Sequence, residues 1–265
     1  MHRSPSAVLA ALVLCLSGTA GAAELIPHHA FYVLSLSGKR ASSGIVEANG
    51  GMAIEMTETC EAWITKQRLR LKIVHDQGSE VVTDDNFTSW ESKDGQRYRF
   101  SVRNKLSGEP DEELRGEADL RSKNGGGGSA NYTQPQRKRM ALPKGTLLPT
   151  AHVAALIDAA RAGAKIFHRT VFDGSTVEGP DEVNVVVGRS IPLEKLPGLE
   201  KMAGKPSWPT RWAFFPLSSS NPSPDYELAM RLLDDGVVAD VGLVYEDFEV
   251  HGALNFFEPL TRPKC

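Results

Sequence analysis

Once residues 1–22 are set apart, two thiols and six histidines are the side chains of this sequence best suited to covalent, acid–base or metal chemistry. Six histidines suffice for a zinc site only if their spacing gathers them. His28 and His29 are neighbours and point to opposite faces of an extended chain, which makes them a poor pair of ligands. His75, His152, His168 and His251 stand alone. None has the H-E-x-x-H or C-x-x-C company of a zinc centre. Asp84-Asp85 and Asp234-Asp235 resemble acid pairs, but adjacent carboxylates at turns are read as solvated. No G-x-S-x-G elbow offers a serine nucleophile. The run Gly125 to Gly128 lacks the Gly-Lys-Ser/Thr and the following helix of a phosphate cradle, and is read as a hairpin tip. No catalytic residue, cofactor site or metal site is expected, and the chain is read as a binding protein rather than an enzyme.

The thiols remain. Cys60 sits early in the chain, and Cys265 is the last residue. In an oxidising compartment, two cysteines read as one disulfide; two free buried thiols are the alternative. Closing a loop of about 200 residues stabilises a fold by roughly 5 kcal/mol in the chain-entropy picture, an upper estimate. The N-terminus supplies the compartment. His2 and Arg3 form a short basic region, Ala7 to Leu16 is nearly all apolar, and Ala20-Gly21-Ala22 is a small-residue cleavage site, with Ala22-Ala23 as a one-residue shift. Residues 1–22 are therefore expected to be a secretory signal peptide, taking Cys15 with them. Residues 23–265 are expected to form a single β domain, with no later stretch long and apolar enough to span a bilayer.

Composition excludes one large class of partner. The chain has 30 basic and 33 acidic side chains, a formal charge of −3. Loss of Arg3 with the signal makes the mature chain more acidic still. Nucleic-acid binding is not expected from that balance.

The elements that must position the cysteines are strands. His28 to Leu36 is the first. Gly44 to His75 alternates apolar and polar residues in two arms, and Asn49-Gly50 between apolar positions predicts a hairpin turn. Glu80 to Trp90 is a strand with a bend at Asp84-Asp85-Asn86. Asp94-Gly95 is another hairpin signal, leading into Arg97 to Arg103, with aromatics on one face and arginines on the other. Leu106 to Leu120 reads as an edge strand. Gln136 to Met140 is a basic stretch, read as a solvated strand face. Further strands follow at Lys165–Phe172, Glu182–Arg189, Thr210–Phe215 and in a meander from Tyr226 to Phe256, turning at Asp235-Gly236. Ile191 to Pro209, dense in proline, predicts a loop with short helical turns near Leu193–Met202. Trp63, Trp90, Trp208 and Trp212 are read as core or loop anchors.

One helix is predicted near residues 151–162. Thr150 is its expected N-cap, Val153, Leu156, Ile157 and Ala160 its apolar stripe, and Gly163 its stop. His152 in its first turn is expected to donate to nearby backbone. The fold class is thus mainly β: a large antiparallel spiral or open-barrel sheet of about a dozen strands, braced by that helix.

Several segments together resemble the cell-envelope integrity protein B (EipB) family. They are Ala-Phe-Tyr-Val-Leu at 30–34, Gly-Ile-Val at 44–46, Cys-Glu-Ala-Trp at 60–63, Phe-Thr-Ser-Trp-Glu at 87–91, Leu-Leu-Pro-Thr-Ala-His at 147–152, and the terminal cysteine. The resemblance implies a periplasmic protein of Gram-negative bacteria, a spiral antiparallel β fold, a disulfide matching Cys60 and Cys265, and a role in envelope integrity without an assigned activity. The expected partner is another envelope protein or a lipid, and the expected state a monomer. The main alternative is a carrier or sensor of a lipid or lipopeptide held within the curved sheet.

Overall fold

The structure is a computed structural model, and it describes residues 23–121, 127–196 and 199–265. The predicted signal peptide, part of the glycine run and Pro197-Gly198 lie outside the described residues.

Among those residues are fifteen strands and one α-helix. The strands are β1 (His28–Lys39), β2 (Ile45–Glu58), β3 (Ala62–His75), β4 (Glu80–Ser92), β5 (Arg97–Leu106), β6 (Glu109–Asp119), β7 (Ser129–Gln134), β8 (Lys138–Ala141), β9 (Ile166–Val171), β10 (Asp181–Val187), β11 (Ile191–Pro192), β12 (Pro206–Pro216), β13 (Tyr226–Leu233), β14 (Val238–Val244) and β15 (Phe248–Pro259). The helix, α1, is Pro149–Arg161. The sheet order is β8-β7-β6-β5-β4-β3-β2-β1-β15-β14-β13-β12-β10-β9, with β11 paired to β12. Every strand pairing is antiparallel. Sequence neighbours thus pair almost throughout, as short turns require. The two long-range events are β1 with β15, joining the first strand of the chain to its last in mid-sheet, and the gap between β8 and β9, the two edges.

That gap is where the barrel stays open. No hydrogen-bonded ladder joins β8 to β9; α1 links them in sequence and braces the opening. A single parallel bridge joins Leu147 to Val171. The loop after β9 then leans back on the far edge. Thr176 O accepts from the Tyr132 hydroxyl at 2.6 Å, and Val177 O from Lys138 Nζ at 2.5 Å.

Alternation sets the interior. Along β1, Ala30, Tyr32 and Leu34 are buried while Phe31, Val33 and Ser35 are exposed. Three apolar clusters fill the inside. One joins β1–β3, β14 and β15 to Leu193, Leu199 and Met202, so the proline-rich stretch plugs one end of the core. A second packs Leu156, Ile157 and Ala160 of α1 on Phe167, Val183, Val185 and Trp212. The third is aromatic: Tyr98, Phe100, Tyr132 and Phe172 meet mostly edge to face. A Cβ at Gly116 or Gly174 would come within 2.5 Å of the Phe100 ring, so both positions exclude a side chain.

Five local expectations are corrected. Asn49-Gly50 is not a turn: β2 runs straight through it, paired to β1 and β3. The hairpin turn needs positive φ at both central residues, and neither has it. Gly50 is there because a Cβ would lie 1.9 Å from Arg70 O on the neighbouring strand. Asp84-Asp85-Asn86 is not a bend but mid-strand, where Asp84 accepts from Arg68 Nε and Nη2 at 3.0 and 2.7 Å. The Leu106–Leu120 stretch is not an edge, since β6 is flanked by β5 and β7. Pro206 and Pro209 lie within β12, not in a loop. Thr150 is not the N-cap of α1. Leu148 holds that position with no side-chain cap, and the capping carboxylate comes from Glu91 on β4.

Candidate functional site

The sulfur pair anchors one pole of the barrel. Cys60 lies in the turn between β2 and β3, ordered by Thr59, whose Oγ1 accepts from the N–H groups of Glu61 and Ala62 at 3.3 and 3.0 Å. Cys265 ends the segment after β15. The two are joined as a disulfide across 205 positions, with Cα atoms 5.6 Å apart. The tail on the way is held independently: Leu260 N–H donates to Pro27 O at 2.8 Å, and Arg262 Nη2 to Leu25 O at 2.7 Å.

Beside this pole is a cavity of about 290 Å³. Its walls include Ala23, Glu58, Trp63, Glu91, Lys93 and Arg262, with the first turn of α1. Lys93 Nζ lies 3.8 Å from the centre of the Trp63 ring and pairs with Glu58 Oε1. Glu91 is buried, and its two oxygens accept from Thr150 and Ala151 N–H at 2.7 and 2.8 Å. Burial pushes its carboxyl up, opposed by those two amides.

The histidines stay apart. His28 is buried, its Nδ1 2.8 Å from Ile26 O, and burial lowers its pKa. His29 lies near Glu55 and Glu258, His168 near Glu182, and His251 near Asp240. His152 does not bond to backbone through Nε2. It is buried between Phe167 and Trp212, at ring distances of 5.4 and 5.1 Å, and Nε2 has no partner among the described residues. Burial drives its pKa down to about 4. Among the described residues no group of three or more His, Cys, Asp and Glu side chains is placed to hold a metal ion.

The sequence reading missed one acidic neighbourhood. Asp173 and Glu178 lie just before Asp181 in the chain, Asp225 comes from the segment before β13, and all three act electrostatically on Asp181. Burial and then its acidic neighbours raise Asp181 to about 7. Only the contribution of Asp225 had no signal in the sequence, because the β10–β12–β13 pairing brings it there.

A concavity of about 500 Å³ lies on the outer face of the sheet. Phe31 of β1 and Phe256 of β15 face each other in register and are 39% and 50% exposed. The Phe31 ring lies over Gly51, where a Cβ would be 2.7 Å from Cζ. Ala53 continues the apolar wall; Lys66, Arg68, Asn86 and Thr88 form the opposite, polar one. Lys66 is tied to Glu55 at 2.9 Å and Arg68 to Asp84. Two exposed aromatics thus stand beside paired charges on this face.

Comparison with known proteins gives a consistent picture. The model of a family described as EipB-like matches residues 19–261. The "Cell envelope integrity protein EipB" of Brucella abortus (strain 2308) is 32% identical over 265 residues, covering 95% of this chain and 92% of that protein. A crystal structure from Brucella abortus, described as a beta-barrel-like protein of domain of unknown function DUF1849, superposes with a TM-score of 0.83 at 29% identity. It covers 91% of this chain and all of its own.

Proposed function

Because the chain belongs to the EipB-like family, we propose that it is a periplasmic, non-enzymatic protein that supports cell-envelope integrity by docking another envelope protein on its outer face. The family supports the role in the envelope. The binding mode rests on one observation: the Phe31–Phe256 pair stands exposed over a concavity while the interior of the sheet is packed with side chains. A carrier of lipid within the sheet needs the reverse arrangement, an open apolar lumen. The expected occupant is a protein segment that inserts apolar side chains between the phenylalanines and the polar wall, where Asn86 and Thr88 offer hydrogen-bonding groups. The disulfide and the expected signal peptide fit export to the periplasm, and among the described residues no helix is long and apolar enough to cross a membrane.

The test is photo-crosslinking in a Gram-negative host. A photoreactive phenylalanine analogue is placed at Phe31 or Phe256, and as a control at Val186, an exposed apolar position on β10. A reproducible protein adduct from the first two positions but not the third supports the reading. Adducts with lipid alone, or equal adducts at all three positions, overturn it.

A further inference from the structure

The cavity at the sulfur-linked pole holds a carboxylate oxygen that nothing satisfies. Glu58 Oε1 takes Lys93, but Glu58 Oε2 is buried with no hydrogen-bond partner among the described residues. Arg262 Nε stands 3.8 Å from it, too far for a hydrogen bond. A buried, unsatisfied carboxylate oxygen is costly and calls for a donor, preferably a charged one. The charges around it leave room for one. Glu24, Glu58 and Glu91 border the cavity with three carboxylates, while Lys93 and Arg262 bring two cations.

Ala23 lines the same cavity, and it does not arrive as a loose end. Leu25 is buried in the helix-side core cluster, its carbonyl held by Arg262. Ile26 N–H donates to Asp235 O at 3.1 Å, and Arg262 Nη1 pairs with Glu24 at 2.7 Å. Ala23 is therefore one residue from a fixed anchor. As an internal residue it offers a neutral amide. As a first residue it offers an ammonium.

We propose that the chain is cut between Ala22 and Ala23, and that the new α-ammonium of Ala23 seats in this cavity as the missing donor to Glu58 Oε2. Hydrolysis of the Ala22–Ala23 peptide bond consumes one water; the carboxylate leaves on the removed segment and the amine stays. The inference rests on the export reading and adds to it: the cut completes a charge cluster of the folded domain. A cut at any other bond misplaces the ammonium. After Ala20, two extra residues would have to fit at the cavity; after Ala23, the amine would fall on Glu24, already engaged with Arg262.

The experiment uses the exported, disulfide-bonded chain. Its N-terminus is sequenced, and the pKa of its α-amine is measured by NMR in the wild type and in Glu58→Gln. The expected results are a chain starting at Ala23 and an amine pKa about one unit above the ordinary range of about 7.7–8.0, falling back into it in Glu58→Gln. If that variant does not fold, α-N-acetylation of the wild-type chain removes the ammonium alone, and a lowered melting temperature is expected. An exported chain cut elsewhere, or an amine with an ordinary pKa in the wild type, or acetylation without effect, overturns the seat and leaves export standing. A chain kept uncut in the cytoplasm overturns export itself.

Discussion

Glu91 of β4 accepts hydrogen bonds from the backbone of Thr150, 59 positions later, and of Ala151. The free N–H groups that open α1 are thus satisfied by a strand, and the helix is pinned to the sheet at the same point. Truncating Glu91 leaves those part-buried amides without their partner. Glu91→Ala is expected to destabilise the fold by roughly 2–3 kcal/mol. Thr150→Ala, which leaves both amide bonds in place, is expected to cost less than about 1 kcal/mol. Urea unfolding of the two variants checks the order; equal losses would return the cap to Thr150.

This relationship also marks what was legible beforehand. The helix, its stop at Gly163 (φ 86°) and the apolar stripe could be read from 3.6-residue periodicity. The meander could be read from strand alternation and short turns. The cap could not, because the local rule offered Thr150 and the carboxylate that won lies on another element. Asn49-Gly50 failed for a related reason. Glycine there serves a neighbouring backbone, which a turn statistic does not contain. The outer groove was invisible because Phe31 and Phe256 belong to opposite ends of the chain and meet only when β1 pairs with β15.

Asp181 makes stability fall as pH rises. Its pKa is raised in the folded chain to about 7, from about 3.8 when unfolded. The folded state thus holds the proton more tightly, and stability is fully present below pH 4 and lost as pH climbs through about 7. Solvent screens this partly exposed carboxylate, so the loss is about 1–2 kcal/mol. Asp181→Asn should flatten that stretch of the stability–pH curve, measured by urea titrations between pH 4 and 8. An unchanged slope would contradict the assignment.

His152 works in the opposite direction. Its pKa is lowered from 6.5 to about 4 in the fold. Stability is present above pH 6.5 and lost as pH falls toward 4, by about 3 kcal/mol. Because Nε2 has no partner among the described residues, an apolar replacement removes a cost and an acid sensitivity together. His152→Leu is expected to be neutral or stabilising at pH 7 and clearly more stable than wild type at pH 4.5. Destabilisation at both pH values would show that the ring makes a bond of its own.

The link between Cys60 and Cys265 closes nearly the whole domain. Replacing both by serine is expected to lower stability by roughly 2–5 kcal/mol, since the unfolded chain regains its loop entropy. Arg262 and Leu260 still hold the tail, so the variant should fold. Its far-UV circular dichroism should match wild type, with a lower urea midpoint.

The groove framed by Phe31 and Phe256 carries the functional account, and a complementation assay tests it most directly. In a Gram-negative strain lacking its own family member, and sensitised to envelope stress by that loss, the wild-type chain is expected to restore growth on detergent. Phe31→Asp with Phe256→Asp, both outward-facing and so compatible with folding, is expected to reach the same periplasmic level and fail to restore it. Full rescue by the double variant would contradict docking on this face.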